Sequence, residues 1–369
     1  MRKTEMSGKK WFFSIMTFLI SLLVLISAVV IFVDPFFHYR APRSCFYYKL
    51  FDQRSQNDGI TKRFEYDSII TGTSMAENFL TSSFDERFAT TSIKVCYSGA
   101  TYKEINDNLK VAFKSGHSPK YVLRPLDYSL LLKDKDELRT DMGEYPEWLT
   151  NSNIFDDVKY LLNGDVMINY CLPVIVSYLE GAEGGHTSFD EYSYTGDSNT
   201  YGKELVLLGK EGFVTADSFE TVTEEDMEML RGNIQQNVVS LAKEYPETTF
   251  LYFFPPYSMA YWGYQLEEGT FYRMLELKKL AVEMMLECDN IHIYSFGMDT
   301  ELTGNLDLYR DIAHYNADVN ELIISEIADS ELVLQDESIR ITAENYEDYL
   351  EEEKILFENY DYNSLTGVD

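Results

Sequence analysis

A serine at the end of a short apolar run is the residue of this sequence best placed for nucleophilic chemistry. Residues 68–71 predict a buried strand, and Gly72-Thr-Ser-Met75 predicts a turn into a helix that begins near Ala76. At the carboxyl end of a strand, Ser74 would lie where α/β sheets bind ligands. Its backbone N–H would lie near a helix N-terminus, which favours a developing negative charge. The alternative is a structural junction in which the serine only caps the helix.

A nucleophilic serine needs a general base, and the chain has only five histidines. His38 lies just after the apolar segment and is better explained as an interfacial or packing residue. His117 follows a helix in a polar loop, His186 lies in a glycine-rich stretch, and His292 falls inside an apolar strand. His314 lies in the loop after the last predicted strand, on the carboxyl side of the sheet, as Ser74 does. His314 is therefore the candidate base.

Asp311 lies three residues before His314 and can orient the imidazole ring and stabilise its charged form. The Asp-x-x-His spacing alone is weak evidence, because Asp289 and His292 share it. Position separates the two pairs, since only the later pair follows a strand on the edge that carries Ser74. Without that geometry, Asp311 is equally well explained as a turn residue and His314 as a surface histidine.

The elements that must position these residues alternate between strand and helix. Strands are predicted over residues 68–71, 93–97, 121–126, 249–254 and 291–296. Helices are predicted after Met75, from about Tyr102, and over residues 223–244, 271–287 and 317–327. Strands separated by helices predict a parallel sheet with helices on both faces. We therefore expect an α/β fold, with a flavodoxin-like three-layer α/β/α arrangement around a mainly parallel five-stranded sheet.

An uncharged segment, residues 11–33, precedes this pattern and predicts a transmembrane signal anchor. As a helix it would be about 34 Å long, enough to cross a hydrocarbon core of about 30 Å. Four basic residues and one acidic residue precede it, so residues 1–10 should be cytoplasmic and the remainder extracellular. A cleaved signal peptide is the alternative, although its apolar region is usually shorter, about 7–15 residues.

The remaining chain divides by composition into four parts. Residues 34–64 predict a juxtamembrane collar with an Asn57-Asp58-Gly59 turn, and residues 65–330 predict the α/β domain. Residues 129–221 interrupt that domain as a long helical and loop insertion, which includes helices near 154–162 and 166–179. An insertion of this length is more often functional or substrate-shaping than idle, and we interpret it as a cap over the sheet edge. Residues 331–369 predict an acidic helical tail with a solvated face.

Charge and cysteine content exclude several classes of function. The 369 residues include 62 acidic and 31 basic side chains, a formal net charge of −31, which argues against nucleic acid or an anionic membrane surface as a partner. The four cysteines are scattered and show no metal-binding spacing, which favours four unpaired buried thiols over two disulfides. No zinc-protease or EF-hand motif is present, so no metal or other cofactor is expected.

The turn around Ser74, the glycine after the second strand (Gly99) and the late Asp311-x-x-His314 together resemble the SGNH/GDSL hydrolase superfamily. The resemblance covers roughly residues 65–330, in the family's block order. It implies that Ser74 is the nucleophile, that Asp311 and His314 complete the triad, and that Gly99 and Ser74 donate backbone N–H groups to the oxyanion hole. It implies an esterase or acyltransferase that acts on ester bonds.

The third block departs from the family's Gly-x-Asn-Asp pattern. The matching strand end is Arg124-Pro-Leu-Asp127, which has no asparagine to donate to the oxyanion. An ionised Asp127 cannot donate a hydrogen bond, so either it is protonated, or another group completes the oxyanion hole, or the hole is weaker. Asp127 is alternatively a structural residue or a site-lining residue that faces a substrate hydroxyl. Tyr257 and Ser258 follow the fourth strand and are candidates for lining the site, with packing as the alternative.

An N-terminal anchor before such a domain resembles the membrane-anchored, DltD-like branch, which is associated with cell-surface polysaccharide acyltransferases. This resemblance implies a single-pass cell-membrane protein that acts on acyl groups of a cell-surface polysaccharide or teichoic acid. It also implies a membrane O-acyltransferase as a partner. A second hypothesis is a non-catalytic scaffold that binds a polysaccharide or such an acyltransferase, because the third-block asparagine is missing.

Overall fold

The computed structural model describes residues 8–141, 145–151, 153–333 and 338–367. The chain forms two compact units. The first comprises Met1–Phe64 and Tyr145–Thr187, and the second comprises Glu65–Glu144 and Ser188–Asp369. We call them the anchor unit and the sheet unit.

Eight strands form two sheets in the described residues. In chain order they are β1 Tyr47–Tyr48, β2 Ser68–Gly72, β3 Ser92–Cys96, β4 Tyr121–Pro125, β5 Gly185–His186, β6 Thr249–Phe254, β7 Ile291–Ser295 and β8 Arg340–Ile341. Strands β1 and β5 pair in parallel within the anchor unit. The other six form the sheet of the sheet unit, in the order β3-β2-β4-β6-β7-β8.

Helices connect the strands and complete both units. They are α1 Gly8–Val33, α2 Gln53–Arg63, α3 Thr81–Phe88, α4 Tyr102–Lys114, α5 Val158–Leu161, α6 Val166–Leu179, α7 Lys203–Leu207, α8 Glu224–Ile234, α9 Ser240–Glu244, α10 Met259–Glu268, α11 Phe271–Met285, α12 Thr300–Thr303, α13 Ala317–Ala328 and α14 Tyr346–Asn359. The first turns of α6 are π-helical, as is the connection between α8 and α9. The prediction of a mixed α/β fold with a parallel-rich sheet is confirmed.

The five predicted strands are present and pair in parallel, as their apolar composition indicates. Ile69, Val95 and Leu123 are almost fully buried, and so is the run Phe250–Phe254 of β6. Near-continuous apolar runs are typical of parallel strands, because such strands are rarely exposed to solvent on either face. The loops at their carboxyl ends therefore share one edge of the sheet.

The sheet has a sixth strand, which the sequence analysis did not predict. Strand β8 pairs antiparallel with β7 and belongs to the predicted acidic tail. Helix α14 of the same tail packs against α11, and its Glu353 carboxylate accepts a hydrogen bond from Lys278 Nζ at 2.6 Å. Both side chains are fully buried. The tail is thus part of the core of the sheet unit, and the expectation of a separate, solvated helix was incomplete.

The anchor unit is built on α1, the one described helix that is long and apolar enough to cross a membrane. Directly after it, the Asp34 carboxylate accepts backbone N–H bonds from His38, Tyr39 and Arg40 at 3.0, 2.8 and 2.9 Å. Tyr160 O–H donates to the same carboxylate at 3.0 Å. The predicted collar is therefore a folded turn closed around one buried aspartate.

The predicted turn at Asn57-Asp58-Gly59 was wrong, because these residues lie inside α2. All three are buried. A Cβ atom at Gly59 would lie 1.8 Å from the carbonyl oxygen of Phe36. The glycine at this position provides room for a neighbouring backbone, and a glycine chosen for packing cannot be told from a turn glycine by composition.

The long excursion over residues 129–221 contributes to both units. Residues 145–187 belong to the anchor unit, whereas residues 188–221 belong to the sheet unit. All four cysteines are unpaired; Cys96, Cys171 and Cys288 are buried, as expected, but Cys45 is exposed.

Candidate active site

The chain turns sharply after β2 to present Ser74. Gly72 has φ +150°, and a Cβ atom there would lie 2.8 Å from the Pro125 ring, so the position requires glycine. Thr73 caps the short 3₁₀ turn Ser74–Ala76, and its hydroxyl accepts from Met75 N–H at 3.3 Å. The predicted helix near Ala76 is this single turn, and α3 begins only at Thr81.

The structure brings together the three residues predicted to form a triad. Ser74 Oγ lies 2.8 Å from His314 Nε2. His314 Nδ1 lies 2.8 Å from Asp311 Oδ2 and 3.0 Å from Asp311 Oδ1. These distances are those of a hydroxyl that can donate to an imidazole and of an imidazole N–H that donates to a carboxylate. The arrangement has the order nucleophile, base and orienting carboxylate.

Hydrogen bonds within the loop and from Ser258 fix the conformation of the loop that carries His314. Asp311 Oδ1 accepts the backbone N–H groups of Ala313 and His314 at 2.9 and 2.8 Å. Ser258 Oγ donates to the Ile312 carbonyl at 2.8 Å. Partial burial raises the pKa of Asp311, but the hydrogen bonds and charge of His314 outweigh it and lower this pKa to about 2. Asp311 is therefore an anion at neutral pH, as an orienting residue must be.

The site lies where the strand order of the sheet reverses. The strand that follows β2 in sequence, β3, lies on one side of it, and the strand after that, β4, lies on the other side. Ser74 follows β2 and Asp127 follows β4. In open parallel sheets the crevice at the carboxyl ends of two such strands is the usual place for a ligand.

Asp127 is buried behind the nucleophile turn. Its Oδ2 accepts from Thr73 Oγ1 at 2.9 Å and its Oδ1 accepts from Tyr257 O–H at 2.9 Å. Burial raises the pKa of Asp127, and the hydrogen bonds from Thr73 and Tyr257 oppose that rise. Since each oxygen accepts a hydrogen bond from a neighbouring hydroxyl, Asp127 has a bracing role: its bond from Thr73 stabilises the turn that presents Ser74.

Gly99 lies in the loop after β3, which neighbours the Ser74 turn in the sheet. Tyr97 N–H donates to the Gly72 carbonyl at 2.9 Å and ties the two loops together. Gly99 has φ +64°, and a Cβ atom there would lie 1.9 Å from Arg139 Nη1. The left-handed backbone favours glycine here, whereas the Arg139 guanidinium is the far end of a flexible side chain and could move aside.

Tyr257 and Ser258, the candidates for lining the site, are buried and do not line the cleft at Ser74. Tyr257 donates to Asp127, and Ser258 donates to the loop of the base. Tyr257 therefore contributes to the packing beneath the Ser74 turn, and Ser258 to the packing of the His314 loop. This is the packing role that the sequence analysis gave as the alternative.

Polar side chains that the sequence analysis missed line a small cleft around Ser74 and His314. They are Asn78, Thr195, Asn199 and Arg310. Arg310 Nη1 donates to Asn199 Oδ1 at 3.0 Å, and Thr195 N–H donates to Asn78 Oδ1 at 2.9 Å. Arg310 adjoins the Asp-x-x-His motif and could have been noticed there. Thr195 and Asn199 come from the insertion, which the sequence analysis interprets as a cap over the sheet edge, but nothing in the sequence singled out these two residues.

Comparison of the chain with models of protein families, with curated proteins and with solved structures finds no match.

Proposed function

We propose that this protein is a serine esterase or O-acyltransferase of the SGNH type. The observation that carries the proposal is the chain of contacts from Ser74 Oγ through His314 to Asp311, with both links at 2.8 Å. The strand order of the five parallel strands supports a flavodoxin-like, three-layer arrangement, because it matches the order 2-1-3-4-5 of that fold.

The first chemical step would form an acyl-enzyme. Ser74 Oγ attacks the carbonyl carbon of an ester while His314 Nε2 accepts the hydroxyl proton. Asp311 holds the opposite ring nitrogen as the N–H donor and stabilises the imidazolium that forms. When the tetrahedral intermediate collapses, the C–O bond to the leaving alcohol breaks and His314 returns the proton to that oxygen. Water or a sugar hydroxyl then takes the acyl group by the reverse sequence.

The oxyanion would be held by the backbone N–H groups of Ser74 and Gly99. Within the described residues, neither group donates to another backbone or side-chain acceptor. Asn78 is our candidate for the third donor, in place of the asparagine missing from the third block. It lines the cleft, and its Oδ1 accepts from Thr195, which directs the amide nitrogen away from that contact. Losing one such donor commonly costs about 2.7–4 kcal/mol of transition-state stabilisation.

The membrane helix supports a location at the cell surface. With α1 across the membrane and its basic flank inside, both units would follow on the extracellular side as a single-pass protein. Acyl groups on a cell-surface polysaccharide or teichoic acid are the proposed substrates, and a membrane O-acyltransferase is the proposed partner. Both come from the resemblance to the DltD-like branch.

Labelling with a fluorophosphonate tests the activated serine without knowledge of the substrate. The full chain, reconstituted in vesicles, should be labelled, and Ser74→Ala and His314→Ala should each abolish labelling. His117→Ala is the matched control, because it removes a histidine outside the proposed triad. His117 lies in the loop before β4, where its ring stacks on Tyr66 with 4.3 Å between the ring centroids. A folded wild-type chain that is not labelled would refute the proposal and favour the non-catalytic scaffold.

Asn78→Ala separates the third donor from the triad. This variant should keep a reactive Ser74 but lower the rate of hydrolysis of a small ester such as p-nitrophenyl acetate by about 10²–10³-fold. An unchanged hydrolysis rate would remove Asn78 from the oxyanion hole and leave the triad proposal intact.

A further inference from the structure

Helix α6 of the anchor unit carries an apolar stripe on its outward face. Ile168, Leu172, Val176 and Leu179 are exposed, with 62%, 44%, 48% and 75% of their surface accessible. Their spacing of three and four residues places them on one side of the helix. We call these four residues the outer stripe. The outward face of a helix on a water-soluble surface is normally polar.

The opposite side of α6 packs inside the protein, so the outer stripe is not the helix's core face. Val166, Cys171 and Val174 are buried. Tyr170 lies between the rings of Phe36 and Phe51, at centroid distances of 4.7 and 5.0 Å. The helix is thus apolar on both sides, and its 14 residues contain no charged side chain.

The segment before α6 exposes further large apolar side chains. Ile154, Phe155 and Val158 have 74%, 82% and 52% of their surface accessible. Contiguous exposed apolar surface marks a site of contact with another protein or a membrane. Two successive elements of the anchor unit therefore present apolar groups outward.

The outer stripe is continuous in the fold with the membrane helix. The first turns of α6 and helix α5 both pack against α1. Val30 and Val33, at the carboxyl end of α1, are buried. Phe36, just beyond this end, stacks on Tyr160 of α5 at 5.3 Å. If α1 crosses the bilayer, α6 is held at the level where α1 leaves it.

The length of α6 and the charge of the anchor unit indicate that lipid covers the outer stripe. Helix α6 would be about 21 Å long, too short to cross a core of about 30 Å, and apolar stretches of this length occur as interfacial segments. The anchor unit after α1 contains seven basic and nine acidic residues, whereas 52 of the 62 acidic residues belong to the sheet unit. The anchor unit is therefore nearly neutral and is not repelled by anionic headgroups.

We propose that α6 is a membrane-interface helix whose outer stripe inserts among the lipids of the leaflet from which α1 emerges. The inference rests on the proposed membrane crossing of α1 and is independent of the chemistry at Ser74. Its consequence is a second attachment that fixes the tilt of the anchor unit against the bilayer, where one helix alone would allow the unit to rotate.

Spin labelling of the full chain in vesicles of phosphatidylcholine and phosphatidylglycerol tests this insertion. The background variant is Cys45→Ser, because Cys45 is the one exposed cysteine among the four. Nitroxides at Ile168→Cys and Leu172→Cys should collide with oxygen, which concentrates in lipid, several-fold more than with a water-soluble nickel chelate. Glu228→Cys, at an exposed charged position on helix α8 of the sheet unit, is the control and should favour the nickel chelate.

A label at Val24→Cys, in the exposed middle of α1, distinguishes failure of the interface helix from failure of the membrane anchor. If Val24 is in lipid and residues 168 and 172 collide freely with the nickel chelate, the interface helix is refuted while the anchor stands. If neither reagent reaches residues 168 and 172, protein covers the outer stripe and lipid contact is refuted. If Val24 itself is in water, both the anchor and the interface helix are refuted.

Discussion

Replacement of Asp311 by asparagine tests the orientation of the base most directly. Asp311 Oδ1 accepts two backbone N–H groups, whereas Oδ2 faces His314 Nδ1 at 2.8 Å. In Asp311→Asn the amide oxygen keeps the two backbone bonds, so the amide NH₂ takes the place of Oδ2. His314 Nδ1 must then accept a hydrogen bond, which puts the ring proton on Nε2, opposite Ser74 Oγ. The base can no longer accept the serine proton.

The loss expected from this exchange is about 10⁴-fold in the rate of acylation, the size found for the same change in other Ser-His-Asp enzymes. It corresponds to about 5 kcal/mol of transition-state stabilisation. The assay is the second-order rate constant for fluorophosphonate labelling, with thermal unfolding measured on the same sample to show that the loop is intact.

Asp289→Asn is the matched control, because Asp289 and His292 have the same spacing. His292 Nδ1 instead pairs with Glu331 at 2.6 Å, and Asp289 is exposed. This variant should be labelled at the wild-type rate. Wild-type labelling of Asp311→Asn with an unchanged melting temperature would refute the tautomer argument.

Three further outcomes follow from the hydrogen bonds and charges of the sheet unit. Thr73→Val removes the donor to buried Asp127 and should lower the unfolding free energy by about 1.5–3 kcal/mol in urea titrations; an unchanged midpoint would contradict the bracing role. Glu353→Gln leaves Lys278 as an uncompensated buried charge and should cost about 3–5 kcal/mol, whereas the exposed neighbour Glu352→Gln should change stability by less than about 0.5 kcal/mol. Because folding lowers the pKa of Asp311 from its ordinary value of 3.8 to about 2, its stabilising contribution is complete above the unfolded value and is lost as pH falls through this window. Acid titration of the unfolding free energy should therefore be steeper for the wild type than for Asp311→Asn between about pH 4 and pH 2, and equal slopes would contradict it.

The sequence predicted those parts of the fold that depend on local patterns. The apolar runs of the five parallel strands and the uncharged stretch of α1 are strong signals, and the structure has elements at each of them. The residues of the proposed triad could be selected because serine catalysis restricts the choice of residue types, and the structure brings them into contact. Their contact joins Ser74 and His314, which are 240 residues apart in the sequence. Only the shared sheet edge made that pairing foreseeable.

Features that depend on tertiary contacts were missed. Gly59 is required by the approach of the Phe36 carbonyl, a contact invisible in a local pattern. Glu353 is one of many acidic residues in the tail, and only its partner Lys278 distinguishes it from solvated neighbours. Asn199 reaches the cleft from the polar, glycine-rich part of the insertion, residues 181–202, which has no strand or helix periodicity to place it. These residues are determined by what they touch, and their neighbours in sequence do not reveal it.

The separation of Ser74 from His314 also has a consequence for biogenesis. The serine belongs to the first strand–turn unit of the sheet, while its base comes after the last parallel strand. During synthesis the first 300 residues contain the nucleophile but lack the residue that would activate it. Long-range contacts of this kind form late, because the intervening chain must first be ordered. If the proposed triad and membrane crossing hold, a nascent chain would therefore stay inactive until almost all of it has been translocated and folded.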